Sequence, residues 1–467
     1  MKLKKAVILT VGTVLIGTAA TSCGLYKEYE TPQNTALTAA YYEVRNDSTQ
    51  YENGAFGNLL WEQVFTDPVL ADLINRALVN NSNLNDARTN VEIAQTQLKG
   101  AKLANLPSVS LSGQGALGKI GMASPYGDWS KTYTIPAATV SWEADIFGKN
   151  LNNKRSSEIA VTRAEDYVQA VRSQLIAGVA NCYYSIAAIE AQLRLSRSTA
   201  LLWQKSVETM KALKEGSNVT EAAVVQSDAN YRSVLASITQ LEVTRRQLDN
   251  TMSLLLNTMP QHFEVSADAT LTVPNVIVQG VPMQYLVMRP DVHAAEMGMA
   301  QAYYTTNIAR AAFYPALTIT ANGGYTNSLG SMVVNPGKWF LNLAGSLVAP
   351  IFTRGQNKAR LEAAKLQQKL ALSAFESAVL AAAGEVSDYL TIYEKAGERK
   401  VHLDAQVADL EKAVEYTNDL LVYSNGTYLE VLTAQQSLLS AQTNRISTDL
   451  TRIQAVINLY QAMGGGR

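Results

Sequence analysis

The chain carries nearly the same pattern twice. Asn83-Leu84-x-x-Ala87, then Ala94, Ala101, Ala104 and Pro107, returns as Asp291-Val292-x-x-Ala295, then Ala302, Ala309, Ala312 and Pro315, at an unchanged offset of 208 residues. Farther on, Ile146-Phe147-Gly148 is echoed by Ile351-Phe352-Thr353-Arg354-Gly355, and Glu221 and Gln226 by Glu430 and Gln435. Self-similarity at a long period constrains a fold more than any local propensity, because both halves must suit the same structural role. Matched landmarks in the same order predict two similar repeats, 59–259 and 283–463, joined by a linker at 260–282 and followed by a tail at 464–467.

The start of the chain reads as an export leader. Lys2, Lys4 and Lys5 precede an apolar stretch from Ala6 to Ala20, too short to span a bilayer comfortably. It runs into Ala20-Thr21-Ser22-Cys23, small residues before a cysteine, which resembles a bacterial lipobox although the commonest pattern has Leu at position 20. This predicts a signal peptide at 1–22 and a lipid-modified Cys23 that opens an extended arm, 23–58, rich in Tyr, Asn, Thr and Glu. An ordinary signal peptide with an incidental cysteine is the plainer alternative.

Several function classes are disfavoured at once. The other cysteine, Cys182, sits in a helical stretch and reads as a small packing residue. His262, His293 and His402 lie in unrelated contexts, so no metal site is expected, and no cofactor either. A formal net charge of −1 without a basic stripe gives no sign of nucleic-acid binding. Beyond the leader no run of about 18 or more apolar residues suggests a membrane helix. If the chain crosses a membrane, it does so as a barrel.

The periodicity gives the elements. Asp67-Pro68 suits a helix start within an amphipathic stretch from Trp61 to Asn80, and a second helix runs from about Asn83 to Asn105, before Pro107. Alternation at Ser108–Ser112 and Ala137–Ala144, and again from Leu317 to Asn322 and from Leu341 to Leu347, predicts one hairpin over 108–144 and another over 316–348. Pro136 marks either a strand start or a bulge. The proline-free segments from Lys149 to Leu213 and from Gln356 to Tyr423 predict helices of roughly 100 Å. Each meets a tight polar turn, Glu215-Gly216-Ser217-Asn218 or Ser424-Asn425-Gly426, and then a partner helix. The partners carry heptad seams, from Val224 through Arg245 to Leu255 and from Leu429 through Leu432 and Leu439 to Tyr460.

Four amphipathic strands cannot close a barrel, because transmembrane barrels begin at about eight strands. An open sheet in lipid leaves edge N–H and C=O groups unsatisfied. Inserted strands therefore require oligomerisation, with a dimer giving 8 strands and a trimer 12.

Trp142-Glu143-x-Asp145-Ile146-Phe147-Gly148, Arg289-Pro290-Asp291-Val292 and the paired helix ends at Pro107 and Pro315 resemble the TolC-like outer-membrane efflux proteins, in particular the OprM/NodT lipoprotein branch that serves resistance-nodulation-division pumps. The resemblance spans nearly the whole mature chain. It implies a mainly α fold with a small β part: long antiparallel helical hairpins forming a trimeric α-barrel, and four strands per chain contributing to a 12-stranded β-barrel. It also implies a passive, non-enzymatic exit duct in the outer membrane of a Gram-negative bacterium. Its partners are then a periplasmic adaptor and an inner-membrane pump, and its cargo drugs or other small toxic compounds.

The same resemblance suggests roles for particular residues. Trp142, Asp145, Phe147 and Gly148 form a strand-to-helix joint, with Asp145 capping and Gly148 turning. No nucleophile or base accompanies Glu143 and Asp145, so they do not read as a catalytic pair. Aligning Tyr428-Leu429-x-x-Leu432-x-Ala434-Gln435 with the family pattern puts Leu429 at a narrow periplasmic ring; its alternative is a seam residue. Many relatives place an acid four positions on, where this chain has Thr433, so Glu430 or Asp419 could supply the charge instead. Gly216, Ser217, Asn218, Asn425 and Gly426, in the tip turns, are the expected adaptor contacts. Two alternatives stay open: a type I protein-secretion duct, and a lipid-anchored coiled-coil scaffold that makes no pore.

Overall fold

The structure, a computed structural model, describes residues 26–33, 35–47, 59–119, 129–216, 219–266, 286–328, 338–423 and 428–466. Cys23, Ser217, Asn218, Asn425 and Gly426 lie outside the described residues. The helices in chain order are α1 (Ala36–Asp47), α2 (Trp61–Val64), α3 (Pro68–Asn80), α4 (Ser82–Leu103), α5 (Lys149–Glu215), α6 (Glu221–Leu255), α7 (Pro290–Ala311), α8 (Gln356–Tyr423) and α9 (Tyr428–Ala462). The strands are β1 (Ser108–Ser110), β2 (Gln114–Lys119), β3 (Trp129–Ala144), β4 (Ala316–Ser328) and β5 (Lys338–Val348). They fall into two compact units, each drawing on both halves of the chain. One comprises Met1–Pro32, Asn90–Ala164 and Ala294–Phe375, and the other Gln33–Thr89, Glu165–His293 and Glu376–Arg467.

The first unit holds the sheet. Its order is β1-β3-β4-β5, with β2 also paired to β3. β1 faces Thr139–Ser141 and β2 faces Trp129–Thr134, so the two segments form one strand track interrupted at 111–113. The sequence predicts a strand over Ser108–Ser112 and then a loop; in the structure pairing ends at Ser110 and resumes over Gln114–Lys119, and Gly113 and its neighbours carry the chain between the two pieces. The β3–β4 register shifts between Pro136 and Ala138, so Pro136 marks a bulge. That is the place a residue without an N–H is tolerated.

The second unit is helical. The stretch predicted as one helix from Trp61 to Asn80 is two, because Asp67-Pro68 starts a new one. Asp67 Oδ1 accepts from Val69 N at 2.9 Å and Leu70 N at 3.4 Å, and Pro68 occupies the first turn. Asn81 acts likewise for α4: its Oδ1 accepts from Leu84 N at 3.1 Å while its Nδ2 donates to Leu255 O at 2.9 Å.

Burial follows the heptads. In α6, Val224, Ser227, Val234, Arg245 and Met252 are buried on the predicted seam. α9 is buried on two sides. Leu432, Ile457 and Tyr460 lie on the predicted seam, whereas Ala434, Ala441, Thr448, Ala455 and Ala462 recur every seventh residue on the opposite side. At one end Trp203 and Met210 of α5, Val224 and Val234 of α6, and Tyr428, Val431 and Leu432 of α9 form one apolar cluster.

α8 is long and apolar enough to cross a bilayer, by length and composition only. Its buried residues Phe375, Val379, Ala382, Val386, Ala396, Leu403 and Val407 follow three-four spacing along one side. That is the pattern of a packing helix, and its other apolar side chains, such as Leu366, Leu370 and Leu380, stay exposed in one chain.

Candidate functional site

The sheet has two chemically different faces. In register across it, Val109 pairs with Val140, Val140 with Ala321 and Ala321 with Leu343; Trp142 pairs with Ile319 and Ala144 with Leu317, which meets Leu347. The alternate rows read Ser110–Thr139–Asn322–Asn342 and Glu143–Thr318–Ser346. Period-two alternation carries each row to one side. One face is therefore apolar and the other polar, as in a sheet with lipid on one side and water on the other. Trp339, Leu341, Leu343 and Leu347 of β5, and Val109 of β1 at the other edge, are all exposed. β5 pairs only with β4 and β1 only with β3 among the described residues, leaving both edges of the sheet open.

The strand-to-helix joint is built from side chain to backbone contacts. Asp145 Oδ2 accepts from Leu151 N at 2.7 Å, at the start of α5. Trp142 Nε1 donates to Asn105 O at 2.9 Å, and Phe147 stacks on Tyr314 with ring centroids 4.8 Å apart. Gly148 has φ of +66° and its repeat counterpart Gly355 has +80°, the left-handed region that favours glycine. Glu143 accepts from Lys149 at 3.0 Å, an exposed ion pair.

Where α8 ends and α9 begins, Leu429, Glu430, Thr433 and Asp419 are all exposed in one chain. Leu429 and Thr433 come together on one side of α9: Thr433 Oγ1 donates to Leu429 O at 2.8 Å. Glu430 lies in the first turn of α9, where an acid suits the helix dipole. Gly216 closes α5 by donating its N–H to Ala212 O at 3.3 Å.

Two buried charge nodes stand out. The sequence marks Arg289 and Asp291 as ordering a helix start, with Asp291 as its N-terminal acid, and Asp291 does lie in the first turn of α7. The partners from other elements are not legible in it. Arg289 donates to Asp291 Oδ1 and Oδ2 at 3.0 and 2.7 Å, to Glu385 Oε2 at 2.8 Å and to Ala462 O at 2.8 Å. Burial works against its charge, but the hydrogen bonds and charges of Asp291 and Glu385 prevail and raise its pKa. Arg245 donates to Glu190 Oε1 at 2.8 Å, to Asp249 and to Phe263 O; Asp249 also accepts from Phe263 N at 3.1 Å. An arginine at a heptad seam position was the available signal, since a charge there needs carboxylates supplied by neighbouring elements.

The outer membrane efflux protein family model matches residues 73–258 and 281–465. The chain belongs to the outer membrane efflux protein family. This efflux protein is 27% identical over 476 residues to the toluene efflux pump outer membrane protein TtgC of Pseudomonas putida, covering 99% of this chain and 96% of the relative. It is 26% identical over 466 residues to the probable outer membrane lipoprotein SilC of Salmonella typhimurium, covering 99% of each. Its fold is that of the outer-membrane channel OprN, with a TM-score of 0.84 at 23% identity over 94% of this chain and 98% of that one. The efflux protein is thus an outer-membrane channel component of the TolC-like fold, and its family members are channel proteins.

Proposed function

We propose that three copies of this efflux protein form the exit duct of a tripartite pump, releasing small toxic compounds to the outside. The observation that carries the reading is the two-faced sheet with both edges open. Each chain supplies four strand tracks, β1/β2, β3, β4 and β5, and three chains supply twelve. Closure pairs the edge N–H and C=O groups that lipid cannot satisfy, at several kcal/mol for each group, by the usual measure about 2–7. A pore-free scaffold has no use for the exposed apolar row of β5.

Around this barrel the remaining roles fall into place. Cys23 carries the lipid anchor, consistent with SilC being named a lipoprotein. The tip turns at Gly216–Asn218 and Asn425–Gly426 meet the periplasmic adaptor, and an inner-membrane pump supplies the energy. Leu429 lines the tip constriction, with Thr433 one turn on and Glu430 or Asp419 as the nearby charges. The cargo class follows the relative named for toluene efflux.

Native mass measurement in detergent together with conductance in planar bilayers tests the reading. Three chains per particle and discrete channel openings are expected. A stable monomer that leaves the bilayer silent would rule it out.

A further inference from the structure

The repeat is more than a resemblance between halves, because contacts between the two halves have counterparts that one chain leaves empty. β3 meets β4 inside the chain. Their repeat counterparts are β5 and the β1/β2 track, which form the two open edges. The offsets needed to map one onto the other are 208 residues from Pro107 to Pro315, 205 from Phe147 to Phe352 and 207 from Gly148 to Gly355.

Three contacts in the first unit can be carried over in this way. Trp142 lies opposite Ile319 in the β3–β4 register, and the counterparts are Leu347 and Leu111. Phe147 stacks on Tyr314 at the joint, and the counterparts are Phe352 and Leu106. Arg163 of α5 donates to Gln301 of α7 at 2.5 Å, and the counterparts are Leu370 of α8 and Ile93 of α4. All six counterparts are large apolar side chains, and all six are exposed, from 49% for Ile93 to 85% for Phe352. Scattered exposed leucines are ordinary, but six at positions fixed beforehand by the repeat are not.

We infer that each copy pairs its β5 with the β1 track of the next copy in the register Leu347 opposite Leu111, with Phe352 packed on Leu106 and Leu370 on Ile93. This rests on the trimeric reading and specifies its seam. The partner is a second copy of this chain, because only that chain supplies counterparts at these spacings. The polar Arg163–Gln301 contact inside one chain is replaced between chains by an apolar one. The interface is then a continuation of the repeat rather than a surface of its own design. In sheet terms, Val348 falls opposite Ser110 and Ser346 opposite Ser112, and the apolar row through Leu347 and Leu111 runs on across the seam.

The register is read by cysteine pairs in a Cys182→Ala background. Residues directly opposite in an antiparallel pair have Cα atoms about 4.5–5.5 Å apart, within the roughly 4.4–6.8 Å a disulfide requires. Oxidised Leu347→Cys/Leu111→Cys should run as covalently linked dimers and trimers without reductant. Leu347→Cys/Val109→Cys and Leu347→Cys/Gly113→Cys should link at least tenfold less. A trimer by mass that links through one of those shifted pairs instead would overturn the register while leaving the trimer standing; absence of a trimer would remove both. Charge rescue gives a second readout. Leu370→Glu alone should lower the trimer fraction, and Leu370→Glu/Ile93→Lys should restore it; failure of the rescue in a folded protein counts against the α8–α4 contact.

Discussion

Arg289 holds Glu385 at 2.8 Å, tying the segment just before α7 to the middle of α8. The same guanidinium takes the carbonyl of Ala462 at the end of α9, also at 2.8 Å. One side chain therefore fastens three elements, with Asp291 fixing its orientation in a bidentate pair.

Replacing Arg289 should be costly, and charge alone should not repair it. Arg289→Ala leaves the Ala462 carbonyl without its donor, while Asp291 and Glu385, each about half exposed, recover solvation. The expected loss is about 2–3 kcal/mol, below the range for a fully buried pair. Arg289→Lys should recover less than half of it, because an ammonium cannot make the two-pronged contact. Thermal unfolding of the three proteins side by side checks both; equal midpoints for wild type and Arg289→Lys would contradict the argument.

Asp67 predicts a pH dependence with a definite sign. Burial pushes its carboxyl up, but hydrogen bonds from Tyr183, Ser266 and the backbone of Val69 and Leu70 outweigh that and lower its pKa. A depressed folded-state value means the stabilisation is full above the unfolded carboxylate pKa and fades as pH falls through the folded one. Asp67→Asn keeps a capping residue but has no charge to titrate. Wild type should exceed it by about 1 kcal/mol at neutral pH, the difference between hydrogen bonds to a charged and to a neutral acceptor, with the gap closing below about pH 4. A gap independent of pH would show that the charge is irrelevant.

Cys182 should be inert in the folded protein. Burial pushes its thiol up to about 11, with the Asp249 charge adding to the effect. The thiolate is the reactive form, so alkylation at about pH 8 should be undetectable until the chain unfolds. Rapid iodoacetamide labelling of the native trimer, mapped to Cys182 by mass spectrometry, would be the contrary result.

The sequence carried the large elements because long periodicities average over many residues. α8 begins at Gln356 and ends at Tyr423 as its proline-free segment predicts. Small residues carried less. The second buried side of α9, Ala434, Ala441, Thr448, Ala455 and Ala462, escaped notice because alanine gives a weak hydrophobic signal while permitting close helix approach. The end of β1 at Ser110 was hidden because Leu111 and Ser112 continue its alternation even where pairing lapses. Arg245 sat in plain view on a seam, but its carboxylate Glu190 comes from 55 residues away, and only folding reveals that pairing.

The tip should be governed by Leu429. Its neighbours Tyr428, Val431 and Leu432 are buried in the apolar cluster, whereas the side of α9 that carries Leu429 leaves it 65% exposed. Thr433 shares that side, four residues on, and its hydroxyl is already engaged by the Leu429 carbonyl. With three copies around an axis, an apolar ring at this level would exclude water and hence ions. Leu429→Ser should raise single-channel conductance severalfold and admit large antibiotics to cells lacking the pump. Thr433→Asp should add cation selectivity, since three carboxylates would then ring the lumen, measurable as a shift in reversal potential across a salt gradient. An unaltered conductance in a trimeric Leu429→Ser protein would place the constriction elsewhere. Substitutions at Asp419 and Glu430, the exposed acids at the same end of the helices, would then locate it.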